Sequence, residues 1–124
     1  MGKKILVVDD DPNLVNVMKR TLEHIGYDIV VAQDGKQAMR SFYEHRPDLV
    51  ILDVMMPYLD GFQVCQRIRE MADTPILMLT AKDTDDDIMK AIELGADDYL
   101  NKSFDIDVLI NHVTVLLERQ HSEA

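Results

Sequence analysis

Disulfide chemistry is excluded at the outset, because Cys65 is the only cysteine in the chain. One thiol cannot form an internal bridge, and a lone cysteine leaves zinc ligation implausible. Beside Val64 and Ile68, it reads as a small core side chain. Basic residues are also scarce: 13 Lys and Arg stand against 23 Asp and Glu, for a net charge of −10. Phosphate contacts need clustered cations, so direct nucleic-acid binding by this domain is not expected. An acidic surface is compatible with holding a cation, although Asp83, Asp85, Asp86 and Asp87 read equally well as solvated surface. Long apolar runs are missing as well. The longest is about four residues, far below the roughly 20 that a membrane-spanning helix needs. Lys3-Lys4 before Ile5–Val8 faintly resembles a secretion signal, but Asp9, Asp10 and Asp11 end the apolar stretch too early. A cytoplasmic location is therefore expected. No repeat, low-complexity tract or linker interrupts the chain, so residues 1–124 are expected to form one domain, with a polar tail that frays from about Arg119.

What the chain does contain is a five-fold alternation of short apolar runs and amphipathic stretches. Strands are expected at about Lys4–Val8, Asp28–Ala32, Asp48–Leu52, Pro75–Leu79 and Asp98–Leu100. Asp11 caps a first helix with Pro12 at its first position, and Leu14, Met18, Leu22 and Ile25 form its apolar stripe before Gly26 stops it. Asp34-Gly35 opens a second helix carrying Ala38 and Phe42, closed before Pro47. The third follows Asp60-Gly61 and is expected to bury Val64, Cys65, Ile68 and Met71. A fourth begins near Thr84, presents Ile88, Met89 and Ile92 wholly or partly inward, and ends at Gly95. Asp105 caps the fifth, with Phe104 and Leu109 as a hydrophobic staple and Leu109, Val113 and Leu116 as the inner stripe. Such alternation with short loops implies a flavodoxin-like, doubly wound α/β fold: five parallel strands in the order 2-1-3-4-5, covered by five helices.

That strand order gathers the chemistry. Asp9 and Asp10 end the first strand, Asp53 the third, Thr80 the fourth, and Lys102 follows the fifth. Ligands in open α/β sheets bind outside the carboxyl ends of the strands. Close carboxylates repel unless one is protonated or a cation is present. A hard cation such as Mg²⁺ would take two of them, a backbone carbonyl and waters. Helix capping by Asp9–Asp11 is the plainer alternative, and Asp11 fits it. Asp53 reads as a carboxylate nucleophile forming an acyl phosphate. The added group carries close to two negative charges, which Mg²⁺ and Lys102 would neutralise. Thr80 offers a hydroxyl and Ala81 an N–H to a phosphoryl oxygen, although a strand-end threonine is often only β-branched filling. Tyr99 has an amphipathic ring able to sit outward or turn inward. The histidines His24, His45, His112 and His121 lie away from the strand ends and read as surface or helix-end residues.

Several motifs together closely resemble the receiver domain of bacterial two-component response regulators. They are Ile5–Asp11, Asp48–Asp53 with Met55-Met56-Pro57 and Asp60-Gly61, Leu79-Thr80-Ala81, and Gly95–Leu100 with Lys102. The resemblance implies that Asp53 is the phosphoacceptor. Asp10, Asp53 and the Met55 carbonyl would be direct Mg²⁺ ligands, and Asp9 a ligand through water. Thr80 and Tyr99 would be the switch pair, and Lys102 the phosphate-contacting lysine. A sensor histidine kinase would donate the phosphoryl group, changing the face formed by the fourth helix, fifth strand and fifth helix. The Gly95–Leu100 wording is similar to the subclass bearing winged-helix DNA-binding outputs, which implies transcription regulation by the parent chain. A phosphoacceptor of this kind is not an enzyme beyond self-phosphorylation from small donors and self-dephosphorylation.

Three positions depart from the family pattern. Ser103 stands where a proline in a cis peptide usually follows the lysine; a cis bond at serine would cost about 2.5–4 kcal/mol, so a trans Lys102–Ser103 bond and a slightly re-aimed lysine are expected. Tyr58 replaces a common loop glycine and is placed to shield the site. Ile88, Val108 and His112 occupy positions where the subclass carries the charged residues of its homodimer, although Asp97 and Asp98 remain. A phosphorylation-dependent homodimer therefore lacks its usual pairs, and Ile88 with Val108 offers an apolar patch to a different partner. The run Val8–Asp11 also resembles the opening of haloacid-dehalogenase-type phosphohydrolases, which would make Asp9 the nucleophile and Asp11 its helper. Pro12 and the lack of a cap insertion fit that reading poorly.

Overall fold

The computed structural model describes residues 2–56, 59–81 and 85–122. Five strands alternate with five helices: β1 (Lys4–Val8), α1 (Pro12–Ile25), β2 (Asp28–Ala32), α2 (Gly35–His45), β3 (Leu49–Asp53), α3 (Gly61–Arg69), β4 (Ile76–Thr80), α4 (Asp85–Glu93), β5 (Asp98–Asn101) and α5 (Ile106–Ser122). The strands form one parallel sheet in the order β2-β1-β3-β4-β5. Among the described residues no helix is long and apolar enough to cross a membrane.

The starts of α1, α2 and α3 have local causes. The Asp11 carboxylate accepts from the backbone N–H groups of Asn13 and Leu14, with Pro12 placed where its missing donor is not needed. Asp34 accepts from the Gln37 N–H. At α3, Asp60 and Gln63 form a reciprocal capping box. Gly26 and Gly95 follow α1 and α4 with φ of 119° and 98°, the left-handed conformation that glycine adopts without a Cβ clash.

Burial follows the two-residue repeat of the strands. Ile5, Val7, Leu49, Ile51, Leu77, Leu79 and Leu100 face α1 and α5, packing on Met18, Leu22, Leu109, Val113 and Leu116. On the other face, Leu6, Val8, Val50, Leu52, Ile76 and Met78 pack on Ala38, Phe42, Val64, Cys65, Ile68 and Ala91 of α2, α3 and α4. Phe104 joins the first cluster beside Leu109, as a staple requires. Burial pushes the Cys65 thiol up to about 11, which keeps it neutral and unreactive.

The structure corrects several expected positions. Strands β3 and β4 each begin and end one residue later, so Asp53 and Thr80 are the last residues of their strands. In α1 the buried residues are Val15, Met18 and Leu22, while Ile25 is 46% exposed. Met71 lies past the end of α3 and is exposed. In α4 it is Ala91 that is buried; Ile88 is half-buried and Met89 and Ile92 are exposed. The reason is common to these cases: the sheet buries only a narrow stripe of each helix, and neighbouring positions at the stripe's edge go to solvent. Helix α5 runs to Ser122. Thr84, Asp83 and Tyr58 lie outside the described residues, as does the Asp85 side chain.

The contrast within α1 is measurable. Leu22→Ala is expected to lower the unfolding free energy by about 2–5 kcal/mol through lost transfer energy and a cavity. Ile25→Ala is expected to change it by less than about 1 kcal/mol. Urea unfolding midpoints of the two variants check this; equal losses would contradict the burial pattern.

Candidate functional site

The alternation that builds the core also selects which strand-end residues meet. Asp9 continues the series Ile5, Val7; Asp53 continues Leu49, Ile51; Lys102 follows Leu100 by two. All three therefore emerge on the α1–α5 face. β1 pairs with β3, and β3 with β4, in parallel register, which sets Asp9 and Asp53 on adjacent strand ends. The Lys102 backbone N–H donates to the Thr80 carbonyl at 2.8 Å, holding the lysine against β4.

The side chains converge closely. Lys102 Nζ lies 3.0 Å from Asp53 Oδ2 and 3.2 Å from Asp9 Oδ2. Both acids are 1% exposed. The lysine is only partly buried, with 23% of its side chain exposed. Asp53 Oδ1 accepts from the Met55 N–H at 3.3 Å, and Asp9 Oδ1 from the Asp11 N–H at 2.9 Å. Among the described residues the two Oδ2 atoms have no aligned hydrogen-bond donor; their contacts with the ammonium are ionic only.

These surroundings set the charge states. Burial pushes the Asp53 carboxyl up to about 6, opposed by the adjacent Lys102 ammonium and reinforced by repulsion from Asp9. For Lys102, burial disfavours the ammonium, but the pull of the Asp53 carboxylate, then that of Asp9, outweighs it and raises the pKa. Asp10, exposed at the rim, completes a set of three carboxylates that each offer an oxygen within 4.8 Å of the others. Against one lysine among the described residues, three ionised carboxylates leave two negative charges uncompensated. Two buried oxygens without an aligned donor, all-oxygen ligands and an open rim fit a hard divalent cation.

Other expected site residues take different places. Thr80 is buried and continues Ile76 and Met78, on the opposite face from Asp53 and Lys102. Tyr99, half-buried, packs on that same face beside Ala91, Ile92 and Ala96, which line a small cavity of about 100 Å³ with it. Met55 is 72% exposed directly after the β3 turn. The Lys102–Ser103 peptide is trans, since no cis bond occurs among the described residues. With that trans bond the lysine reaches both acids. For a phosphohydrolase based on Asp9, nothing in this geometry is favourable: Asp11, its would-be helper, is spent on capping α1.

Sequence reading missed three contacts. His112 is not an idle helix residue; its Nδ1 pairs with Asp98 Oδ2 across α5 and β5. Arg69 donates to the carbonyls of Gly95, Ala72 and Thr74 and to Asp97 at 2.8–3.1 Å, bracing the end of α3 against the α4–β5 turn. Asn101 accepts from both the N–H and the hydroxyl of Ser103. Of these, only Asn101, a turn-forming residue beside a strand end, carried a local signal.

Known proteins agree with this geometry. The response regulator receiver domain family matches residues 5–114. The alkaline phosphatase synthesis transcriptional regulatory protein PhoP of Bacillus subtilis (strain 168) is 45% identical over 125 residues, covering all of this chain and 52% of that protein. The chain thus spans about half the length of that curated relative. The receiver domain of Francisella response regulator 1452 superposes with a TM-score of 0.91 at 38% identity, covering 96% of this chain and 99% of that one. The BeF3-activated N-terminal receiver domain of Klebsiella pneumoniae RstA gives 0.89 at 34% identity, covering 92% and 97%. A CheY-like receiver domain protein from Methanospirillum hungatei JF-1, 22% identical with a TM-score of 0.94 over the full length of both chains, shares the fold. The acid cluster, the lysine facing it and these matches identify the chain as a member of the response regulator receiver domain family, the signalling domain of two-component systems.

Proposed function

We propose that residues 1–124 act as one receiver unit in which Asp53 accepts a phosphoryl group from the phosphohistidine of a sensor histidine kinase. An Asp53 carboxylate oxygen attacks phosphorus, the phosphorus–nitrogen bond breaks, and its electron pair leaves with the imidazole, which is reprotonated. The product is an acyl phosphate on a buried strand end. The observation that carries this reading is the ion pair of Lys102 with Asp53 at 3.0 Å, on a buried carboxylate that also accepts from the Met55 N–H. Phosphoryl transfer of this kind depends mainly on positioning and charge neutralisation.

Asp10, Asp53 and the Met55 carbonyl would ligate Mg²⁺ directly and Asp9 through water. The bound cation would neutralise charge developing on the phosphoryl oxygens. Lys102 supplies a point charge from the side of β5. Thr80 and Tyr99 serve as the switch pair. The hydroxyl of Thr80 turns toward the new phosphoryl group, the space it leaves is taken by the Tyr99 ring, and the surface of α4, β5 and α5 changes. Such a population shift is worth about 1–3 kcal/mol. Beyond self-phosphorylation from small donors and self-dephosphorylation, the domain has no enzymatic role.

The transcriptional regulator that it matches supports a DNA-binding output in the parent chain and a cytoplasmic site of action. Direct DNA contact by this acidic domain has no support. Asp97 is held by Arg69 and Asp98 by His112 within the chain. With Ile88 and Val108 on the same surface, a homodimer built on charged pairs has the weakest support.

Incubation of the chain with acetyl phosphate and Mg²⁺, followed by intact mass and peptide mapping, tests the proposal. One phosphoryl group per chain, on the peptide containing Asp53 and absent when Mg²⁺ is chelated, is the expected result. Sustained phosphate release with the label on Asp9 would overturn it in favour of a hydrolase.

A further inference from the structure

We infer that Asn101 is a positioning residue for Lys102, its carboxamide oxygen fixing the turn from which the lysine reaches the two buried acids. This rests on the reading of Asp53 as phosphoacceptor. Asn101 ends β5, paired with Thr80 of β4. Its Oδ1 accepts from the Ser103 N–H at 2.9 Å and from the Ser103 hydroxyl at 2.8 Å. A backbone N–H only donates, so the atom facing it is the oxygen of the amide. The Phe104 N–H donates to the Asn101 carbonyl at 3.0 Å. Together with the Lys102 N–H bond to Thr80 at 2.8 Å, these contacts hold the backbone before, at and after the lysine.

The physical need is specific. Lysine carries its charge on a flexible four-carbon stem, and much rotamer freedom is lost when Nζ is held at one place. Fixing its Cα removes the backbone share of that search. Proline would restrict such a turn through its ring; here residue 103 is serine, and the residue two earlier supplies the constraint by hydrogen bonding. Both Ser103 donors converge on one oxygen, so the restraint acts on the peptide that follows Lys102 and on no atom of the metal-binding acids.

Phosphorylation rates from acetyl phosphate at saturating Mg²⁺ decide the matter, measured together with Mg²⁺ affinity by titration. Asn101→Ala is expected to slow labelling about tenfold, since misplacement of a charge by a fraction of an ångström to an ångström has effects of that order, while Mg²⁺ affinity stays within about twofold. Asn101→Asp keeps the acceptor oxygen and is expected to restore most of the rate. Ser103→Ala removes one of the two bonds and should give a smaller loss. In a Lys102→Ala background, Asn101→Ala should cause no further slowing, because the group it positions is gone. Equal slowing in both backgrounds, an unchanged rate in Asn101→Ala, or parallel losses of rate and Mg²⁺ affinity would each overturn the inference. Failure of the unmodified chain to take any label would instead remove the reading of Asp53 on which it rests.

Discussion

Asp53→Asn is expected to abolish phosphoryl labelling and, in metal-free buffer at neutral pH, to make the folded domain more stable. The loss of label follows from chemistry: a carboxamide oxygen is a poor nucleophile and cannot form the acyl phosphate. The gain in stability follows from where the carboxylate sits. Burial is the largest influence on its pKa and raises it to about 6, while Asp9 adds repulsion. An acid whose folded-state pKa is raised contributes stability that is complete below its unfolded value, near 3.8, and lost as pH climbs through about 6. At pH 7 the ionised side chain is therefore a net burden. Asparagine removes that burden but also forfeits the ion pair with Lys102, which retains Asp9 at 3.2 Å. The net gain is on the order of 2 kcal/mol. Unfolding curves in chelator at pH 4 and pH 7 check it: the variant's advantage should appear at pH 7 and shrink toward pH 4. Adding Mg²⁺ should stabilise the unmodified chain more than the variant, by mass action on the ionised acids. A variant that is less stable than the unmodified chain at pH 7 without metal would show that the lysine pairing outweighs desolvation.

Gly61→Ala is expected to lower the unfolding free energy by about 3 kcal/mol or more, and to slow phosphorylation. A Cβ at residue 61 would lie 2.2 Å from the Asp53 carbonyl oxygen and 2.8 Å from the Val54 Cα. These are backbone atoms, which cannot rotate aside as a side chain would. The Gly61 N–H also donates to the Val54 carbonyl at 2.9 Å, closing the β3–α3 connection against the strand end that carries Asp53. Relief of the clash must move either α3 or Asp53. Gly26→Ala provides the comparison. Its φ of 119° is strained for alanine, but among the described residues nothing lies within 4 Å of the added carbon. A loss of about 1–2 kcal/mol and no change in labelling rate are expected there. Denaturant titrations and labelling rates for both variants separate close backbone approach from backbone strain; equal behaviour would refute the distinction.

The strands, the helix caps and the strand order were legible because their causes are local or generic. Runs such as Ile5–Val8 and Leu49–Leu52 are buried on both faces, which only an interior parallel strand requires. Asp11 with Pro12, and Asp60 with Gln63, cap helices through atoms a few residues apart. Helix faces were less legible. Ile25 and Ile92 lie at positions compatible with an apolar stripe, yet the sheet beneath accepts Leu22 and Ala91 and leaves them exposed. Arg69 and His112 gave no signal at all, since their partners, Gly95 with Asp97, and Asp98, lie well away along the chain.

By itself the sequence determined the parallel α/β architecture and the residues that end its strands, because apolar periodicity and capping are encoded within a few residues of where they act. Tertiary structure alone decided that Asp9 and Lys102, 93 residues apart, meet, and that burial raises the Asp53 pKa to about 6. Desolvation and electrostatic coupling depend on what surrounds a group in space, and that is set only when all five strand ends are brought together.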